Sequence, residues 1–321
     1  MSNNMSKEYV IGVDIGGQSA MIGIVDRRAN ILARSRMDTK VYGEADAEKF
    51  MDDLCANIRK IAEHVDWDNV EGIGIGAPNG NYYQGTIEGA ANLPWGKGVV
   101  HLRDYIAKKT GKPVTVTNDA NAAAIGEMHY GNAKGMTNFI EITLGTGVGS
   151  GIVVNGQMVY GHDGFAGELG HTCAVRYNGR QCNCGKVGCL ETYASAIGVA
   201  RTAREWLDMS DEPSLLRSLE VISSKDVYDA AIAGDSIAKK VFEFTGQKLG
   251  ESFSDFVAFS RPEAIILFGG LAEAGDLIMK PIVEAMEANL LNIWKGGKVK
   301  VLRSGLKESD AAILGAGALA W

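Results

Sequence analysis

The hydrophobic positions of the chain come in short runs that close on glycine. Val10 to Ile15 is one such run, ending at Gly16-Gly17; Ala20 to Val25 and the stretch from Ile31 follow it across a polar turn. Runs of this length bounded by turn residues predict three short strands. Beyond them the spacing predicts a helix over Asp46 to Val65, a strand over Gly72 to Gly76, a helix over Val100 to Lys109 and a strand over Val114 to Val116. The opening pattern then recurs. Phe139 to Leu144 is apolar, closes on Gly145-Thr146-Gly147, and leads through Gly151-Ile152-Val153-Val154 to Asn155-Gly156, a favoured hairpin turn. A β-turn-β-turn-β unit that occurs twice predicts two α/β lobes of similar plan, each presenting a glycine turn to a common cleft.

Asp235 to Phe259 places Ile237, Val241, Phe244, Leu249 and Phe253 at helical spacing, the pattern of a core helix. A strand over Ala264 to Phe268 closes on a third glycine turn, Gly269-Gly270, ahead of a helix from about Asp276. Asp310 to Trp321 is helical and apolar, and is expected to pack back on the first lobe. The division expected is a smaller α/β lobe of residues 1–117 with 306–321, and a larger one of 118–305.

Composition narrows the classes. A chain of 321 residues that is 46% hydrophobic and 22% charged is long enough for two globular domains and has no disordered character. A net charge of -7 and a pI near 5.4 exclude a nucleic-acid footprint, which needs clustered Lys and Arg. The amino terminus, MSNNMSKEYV, holds no apolar run of an export signal, and no window approaches a membrane helix. The expected location is the cytoplasm.

Candidate chemistry sits on the turns. For Asp14-Ile15-Gly16-Gly17 there are two readings: a turn that needs positive φ, for which Gly is the default, or a backbone that approaches phosphate closely, with Asp14 near a magnesium ion. Gly145-Thr146-Gly147-Val148-Gly149 has the same two. It fits no dinucleotide fingerprint, because β-branched strand rather than helix follows it. Asn118-Asp119-Ala120-Asn121 lies just after a strand and opens an Ala-rich helix. Asn118 or Asp119 could simply cap that helix; equally, a carboxylate at the carboxyl end of a strand is placed to accept a proton from a substrate hydroxyl.

Three of the five cysteines, Cys182, Cys184 and Cys189, fall within eight positions. Disulfides are unusual in a reducing compartment, so the cluster reads as metal binding. With His171 it supplies the four S and N ligands of a closed, structural zinc site, which leaves no open position for a catalytic Lewis acid. Gly185 and Gly188 allow the loop to fold tightly, while Arg176 to Gly188 is polar and offers little core. Cys55 reads as a small buried hydrophobe, and Cys173 needs no special role.

Gly164-Phe-Ala-Gly-Glu168-Leu-Gly-His171, followed by Cys182-Asn-Cys-Gly-Lys-Val-Gly-Cys-Leu-Glu191, closely resembles the signature of the ROK family, named for repressors, open reading frames and kinases. The resemblance spans nearly the whole chain: Asp14-Ile-Gly-Gly is similar to the family's first phosphate motif, Gly145-Thr-Gly-Val-Gly to its second, Gly269-Gly270 to its adenosine motif and Asn118-Asp-Ala-Asn to its catalytic motif. It implies an actin-like, ribonuclease-H-like pair of lobes closing around sugar and ATP. It implies that Asp119 is the base for the sugar's 6-hydroxyl, with Asn118, Glu168, His171 and Glu191 on the other hydroxyls. His171 would turn one ring nitrogen to zinc and the other to the sugar. Asp14, Gly16, Gly17, Gln18, Gly145, Thr146, Gly147, Gly269 and Gly270 would hold ATP with Mg²⁺. The expected activity is ATP:hexose 6-phosphotransfer with glucose as acceptor; the alternatives are an N-acetylhexosamine kinase for GlcNAc or ManNAc, or a sugar-sensing protein without catalysis. Family repressors carry a helix-turn-helix ahead of the first phosphate motif, and about a dozen residues before Asp14 are too few for one. The resemblance also suggests a homodimer, with its contact surface on the larger lobe.

The sequence departs from the family pattern at two places. Gln18 stands where the family usually has Thr, and its amide can still donate a hydrogen bond. Asn79, in Gly76-Ala-Pro-Asn79, stands where Gly is usual. Either it replaces Gly because Asn tolerates left-handed φ, or it contacts sugar; the same two readings hold for Asn92. Trp95 reads as packing rather than as a sugar-stacking platform.

Overall fold

In the computed structural model, which describes residues 7–321, both glycine-closed repeats form the meander of a five-stranded sheet. Residues 1–6, part of the stretch read above for an export signal, lie outside it. The first meander is β1 (Tyr9–Ile15), β2 (Ser19–Asp26) and β3 (Ile31–Asp38), followed by α1 (Ala47–Ala62) and β4 (Val70–Ala77). A small ribbon of β5 (Gly80–Asn81), β6 (Thr86–Glu88) and β7 (Val99–Val100) precedes α2 (Leu102–Thr110), β8 (Val114–Asn118) and α3 (Asp119–Tyr130). The second meander is β9 (Phe139–Leu144), β10 (Val148–Val154) and β11 (Gln157–Met158). After it come α4 (Glu191–Ala194), α5 (Ala196–Met209), α6 (Ser224–Ile232), α7 (Ser236–Ser260), β12 (Ala264–Phe268), α8 (Asp276–Asn289), β13 (Lys300–Arg303) and α9 (Glu308–Ala318).

The two sheets have one plan. Their orders are β3-β2-β1-β4-β8 and β11-β10-β9-β12-β13, with an antiparallel meander on one side and two parallel additions on the other. Parallel additions need crossovers, and α1, α2 and α7 lie within those connections. The predicted elements fall where the periodicity placed them, and the Asn155-Gly156 turn has φ of 52° and 73°, as a type I′ hairpin requires.

The chain divides into one compact unit of residues 1–135, 158–166 and 304–321, and another of 136–157 and 167–303. This differs from the expected cut after residue 117, and the reason is packing. α3 lies against α9 at glycines: a Cβ on Gly126 would stand 2.8 Å from the Gly315 Cα, and one on Gly315 2.5 Å from the Ala122 carbonyl oxygen. α9 in turn lies on the first sheet, where a Cβ on Gly74 would meet the Ala316 oxygen at 1.8 Å. Helix α3 therefore belongs to the first unit. The expected 306–321 begins at 304 instead, because the buried Glu127 carboxylate accepts from Gly305 N at 3.1 Å and from Ser304 Oγ. Residues 158–166 join the first unit through Asn81 Nδ2, which donates to the Asp163 oxygen at 2.9 Å, and through Tyr160 stacked on Tyr82 at 3.9 Å.

The first core gathers Ile11, Ile15, Ile22, Leu54, Ile58 and Phe50 at zero exposure. Burial of each such side chain is worth roughly 1.5–3 kcal/mol. Trp95 belongs here: its ring stacks on Phe50 at 4.1 Å and is 2% exposed, which is the packing role expected of it. Cys55 is buried as expected, and burial pushes its thiol up to about 11.

Candidate active site

In the first unit the candidate residues lie at the carboxyl ends of β1, β4 and β8. Register pairs Asp14 of β1 with Gly76 of β4, and Ala77 with Asn118 of β8. A Cβ on Gly76 would lie 3.9 Å from Asp14 Oδ1 and 3.6 Å from the Asp119 Cα, so this bare strand position separates two carboxylates. Asn118 caps α3: its Oδ1 accepts from Ala120 N at 2.8 Å, and Asp119 Oδ1 shares that donor at 2.9 Å. Asn118 and Asp119 thus share one backbone donor at the start of α3. Asp119 is open to solvent on one side, yet the chain crowds its carboxylate on the others; this desolvation raises its pKa against the lowering effect of the Ala120 N–H. Burial, then repulsion from Asp119, raises Asp14 to about 7.

The first glycine turn is closed by Gly16 N donating to the Ser19 oxygen at 2.9 Å and by Thr39 Oγ1 donating to the Gly16 oxygen at 2.8 Å. Neither Gly16 nor Gly17 has positive φ, nor do Gly145 and Gly147, so left-handed backbone is not why glycine stands there. Gly17 is bare because a Cβ would lie 3.1 Å from the Asn92 carbonyl oxygen. That contact places exposed Asn92 against the glycine turn. Gln18 is exposed at the turn's tip, and its carbonyl accepts from Thr39 N at 3.2 Å. Asn79 has φ of 51°, and its amide donates to the Glu88 and Gly89 oxygens at 3.0 and 3.2 Å. The left-handed replacement for Gly accounts for it, with the side chain bracing its own turn.

In the second unit the zinc-type cluster and the second glycine turn share side chains. His171 Nδ1 lies 3.7 Å from Cys182 Sγ, Cys184 Sγ lies 3.6 Å from Cys189 Sγ, and the four ligand atoms all lie within 4.8 Å of one another. Tetrahedral zinc with Zn–S near ~2.3 Å sets sulfurs about 3.8 Å apart, so the donor set fits that ion. His171 Nε2 points the other way, 3.9 Å from Glu168 Oε2. Gly185 and Gly188 have φ of 90° and 82°, and a Cβ on Gly188 would strike the Val175 oxygen at 1.9 Å. Glu191 opens α4; its Oε2 accepts from Val148 N at 3.0 Å and its Oε1 stands 4.0 Å from Cys182 Sγ. Ser150 of β10 fastens the Glu168 loop, accepting from Leu169 N at 3.2 Å and donating to the Gly167 oxygen.

Gly269, at φ 100°, packs on β9, where a Cβ would meet the Leu144 oxygen at 2.7 Å. Beside Gly270 a cavity of about 360 Å³ is walled by Tyr228, Phe242, Leu271 and Lys225. Sequence reasoning missed this wall, since α6 and α7 stand well upstream of the turn. It missed Arg180 too. That side chain is 8% exposed, donates to the Thr192 oxygen at 2.7 Å and Thr202 Oγ1 at 2.9 Å, pairs with Glu205 at 2.5 Å and lies over the Tyr193 ring at 4.5 Å. With Cys182 at 3% exposure, it makes the stretch read as offering little core an anchored one.

The family model described as ROK family matches residues 10–321. The chain belongs to the ROK family. It is 36% identical over 320 residues to a glucokinase of Halalkalibacterium halodurans, covering 98% of this chain and 95% of that one. A Thermotoga maritima glucokinase is 35% identical over 324 residues, covering 98% of each. Among solved structures, a ROK family glucokinase from Streptomyces griseus in complex with glucose and AMPPNP superposes with a TM-score of 0.77 at 34% identity, covering 97% of this chain and 98% of that one. The fold is accordingly the actin-like, ribonuclease-H-like ATPase fold expected from the motifs.

Proposed function

We propose that this protein is an ATP-dependent hexose kinase that phosphorylates the 6-hydroxyl of glucose. The likeness over nearly the full chain to relatives named glucokinases, one of them solved with glucose and AMPPNP, supports the activity. The observation that carries the mechanism is Asp119, whose Oδ1 accepts from Ala120 N at 2.9 Å just past the end of β8. Phosphoryl transfer needs chiefly positioning and charge stabilisation, and an oriented carboxylate that takes the hydroxyl proton supplies the base. In this reading Asn79, Asn92, Asn118, Glu168, His171 and Glu191 are the sugar's remaining candidate contacts. Of these, Asn79 has its amide committed elsewhere and contributes least. The two glycine turns and Gln18 lie on the phosphates, and the cavity beside Gly270 takes the adenine.

Asp14 is the residue to hold Mg²⁺, which offsets phosphate charge when bound; a carboxylate that burial and Asp119 hold near neutrality gains from a cation. His171, Cys182, Cys184 and Cys189 are the residues to hold zinc, which serves as a structural ion. Their chain-level role is to fix the His171 ring so that Nε2 faces the sugar beside Glu168. Thiols that must stay reduced to act as ligands suit the cytoplasm, and no helix among the described residues is long and apolar enough to cross a membrane. We read the protein as a homodimer on the family resemblance.

A coupled assay of ADP release over glucose, mannose, fructose, allose, GlcNAc and ManNAc tests the reading. Glucose is expected to give the highest kcat/KM. Turnover of none of them sinks the kinase assignment, and preference for GlcNAc or ManNAc sinks the acceptor.

A further inference from the structure

We propose that the first unit holds a second anion site, apart from the catalytic residues, that takes a small metabolite carrying a phosphate monoester. A cavity of about 350 Å³ lies between the turn that joins β2 to β3, the carboxyl end of α3, and Trp321, which follows α9. Its charged walls are Arg27, Arg28 and Lys134, its rings are His129, Tyr130 and Trp321, and no acidic side chain lines it. A chain of net charge -7 has thus gathered three cations around one hollow. None of the three makes an ion pair among the described residues.

The carboxylate nearest to them in sequence is already occupied. Asp26 Oδ1 accepts from Arg28 N and Asn30 N, both at 2.8 Å, and Oδ2 accepts from Asn30 Nδ2 at 2.8 Å, so it locks the turn that carries Arg27 and Arg28. Arg27 is held in place. Its guanidinium lies over the Trp321 ring at 4.3 Å, its Nε donates to the Lys7 oxygen at 2.9 Å, and Trp321 Nε1 in turn donates to the Tyr130 hydroxyl. A stacked guanidinium keeps its remaining N–H donors preorganised for a phosphate, which an Arg fork binds through two oxygens and a Lys as a point charge. The Arg28 guanidinium and the Lys134 ammonium make no side-chain hydrogen bond among the described residues, so both can turn to a ligand.

The size of the hollow selects a small molecule, and the rings of His129 and Tyr130 wall the space for its carbon frame. An extended polyanion would need basic residues spread along a face, which an acidic chain does not supply. The site is separate from the catalytic one: Asp119 opens the 12-residue α3 and Tyr130 closes it, roughly 16 Å further along the axis.

Isothermal titration calorimetry on the full chain, with glucose and AMPPNP saturating to fill the catalytic site, tests this with glucose 6-phosphate, 3-phosphoglycerate and inorganic phosphate. One molecule of at least one monoester is expected to bind per chain, and inorganic phosphate more weakly, since it leaves the rings bare. Arg28→Gln and Lys134→Gln should each weaken that binding about tenfold or more, the scale of a lost hydrogen bond to a charged group. Neither side chain belongs to the machinery assigned to catalysis, so kcat and the thermal melt should stay at wild-type values. No saturable heat from any probe up to about 10 mM, a free energy of under ~3 kcal/mol, overturns the site. Binding that both substitutions leave untouched overturns its location, whether or not the protein is a kinase. Inorganic phosphate binding as tightly as the monoesters overturns the metabolite and leaves an ion site.

Discussion

Gly147 is bare because Glu191 occupies the place of its side chain: a Cβ there would lie 2.5 Å from Glu191 Oε2, which accepts from Val148 N at 3.0 Å. The other carboxylate oxygen stands 4.0 Å from Cys182 Sγ. One side chain assigned to the sugar therefore joins a glycine turn assigned to phosphate and a cysteine assigned to zinc.

Gly147→Ala tests that joint. The added methyl must displace Glu191 or the turn, so KM for glucose and for ATP should rise together and kcat/KM fall about 100-fold, the scale set by ångström-level misplacement. Steady-state kinetics in both substrates decides it. A change confined to ATP would mean that Glu191 does not serve the sugar.

Asp119→Asn keeps the shape and the oxygen that accepts from Ala120 N but removes the base. Turnover should fall about 10³-fold or more, with glucose affinity by calorimetry near that of the wild type. Residual turnover within tenfold of normal would assign the proton to another group. In the wild type, desolvation holds the Asp119 pKa above the ordinary aspartate range, so kcat/KM for glucose should decline on the acid side earlier than for an exposed aspartate.

Much of this was legible because periodicity and punctuation are local. Apolar runs closed by glycine turns located the doubled meander, and four candidate ligand residues in one loop pointed to the cluster whose ligand atoms lie within 4.8 Å of one another. Long-range packing was not legible. The unit boundary moved from 117 to 135 because Gly126 and Gly315 let α3 and α9 touch, a contact between residues nearly two hundred positions apart. Arg180 looked like one polar residue among many, since its partners Thr192, Thr202 and Glu205 follow it by a helix's length. The glycine turns had the right residues for a different reason than φ: Gly17 makes room for Asn92 and Gly147 for Glu191, neighbours a sequence does not display.

Asp14 makes stability depend on pH in a stated direction. Its folded pKa, about 7, lies above its unfolded value near 3.8. The native state keeps a proton that the unfolded chain has released, so this group's contribution is full below about pH 4 and is lost as pH rises to about 7, beyond which the loss is constant. In Mg²⁺-free buffer, the urea midpoint of Asp14→Asn relative to the wild type should therefore climb between pH 5 and pH 8. A difference that stays flat across that range would show that Asp14 ionises normally. Saturating MgATP should raise the wild-type midpoint at pH 8 more than that of the variant, because the cation relieves the charge only where Asp14 is present.

Cys184→Ala removes the most exposed of the four ligands while leaving the buried Cys182 and Cys189 in place. A closed structural site does not survive the loss of one thiolate, so zinc measured by atomic absorption should drop well below stoichiometric. The sugar side should then suffer through His171. Its Nδ1 loses the ion that fixes the ring, and Nε2 no longer holds its place beside Glu168, 3.9 Å away. Glucose KM should rise by about tenfold or more, within the 10–100-fold range typical when the support of a ligand set is removed. The ATP KM should move less, since the glycine turn keeps its own anchor in the Glu191 to Val148 hydrogen bond. Chelation of the wild type should reproduce the same split, and added zinc should reverse it in the wild type but not in the variant. A zinc-free protein with normal glucose affinity would separate the metal from the pocket and leave it only a staple of the loop.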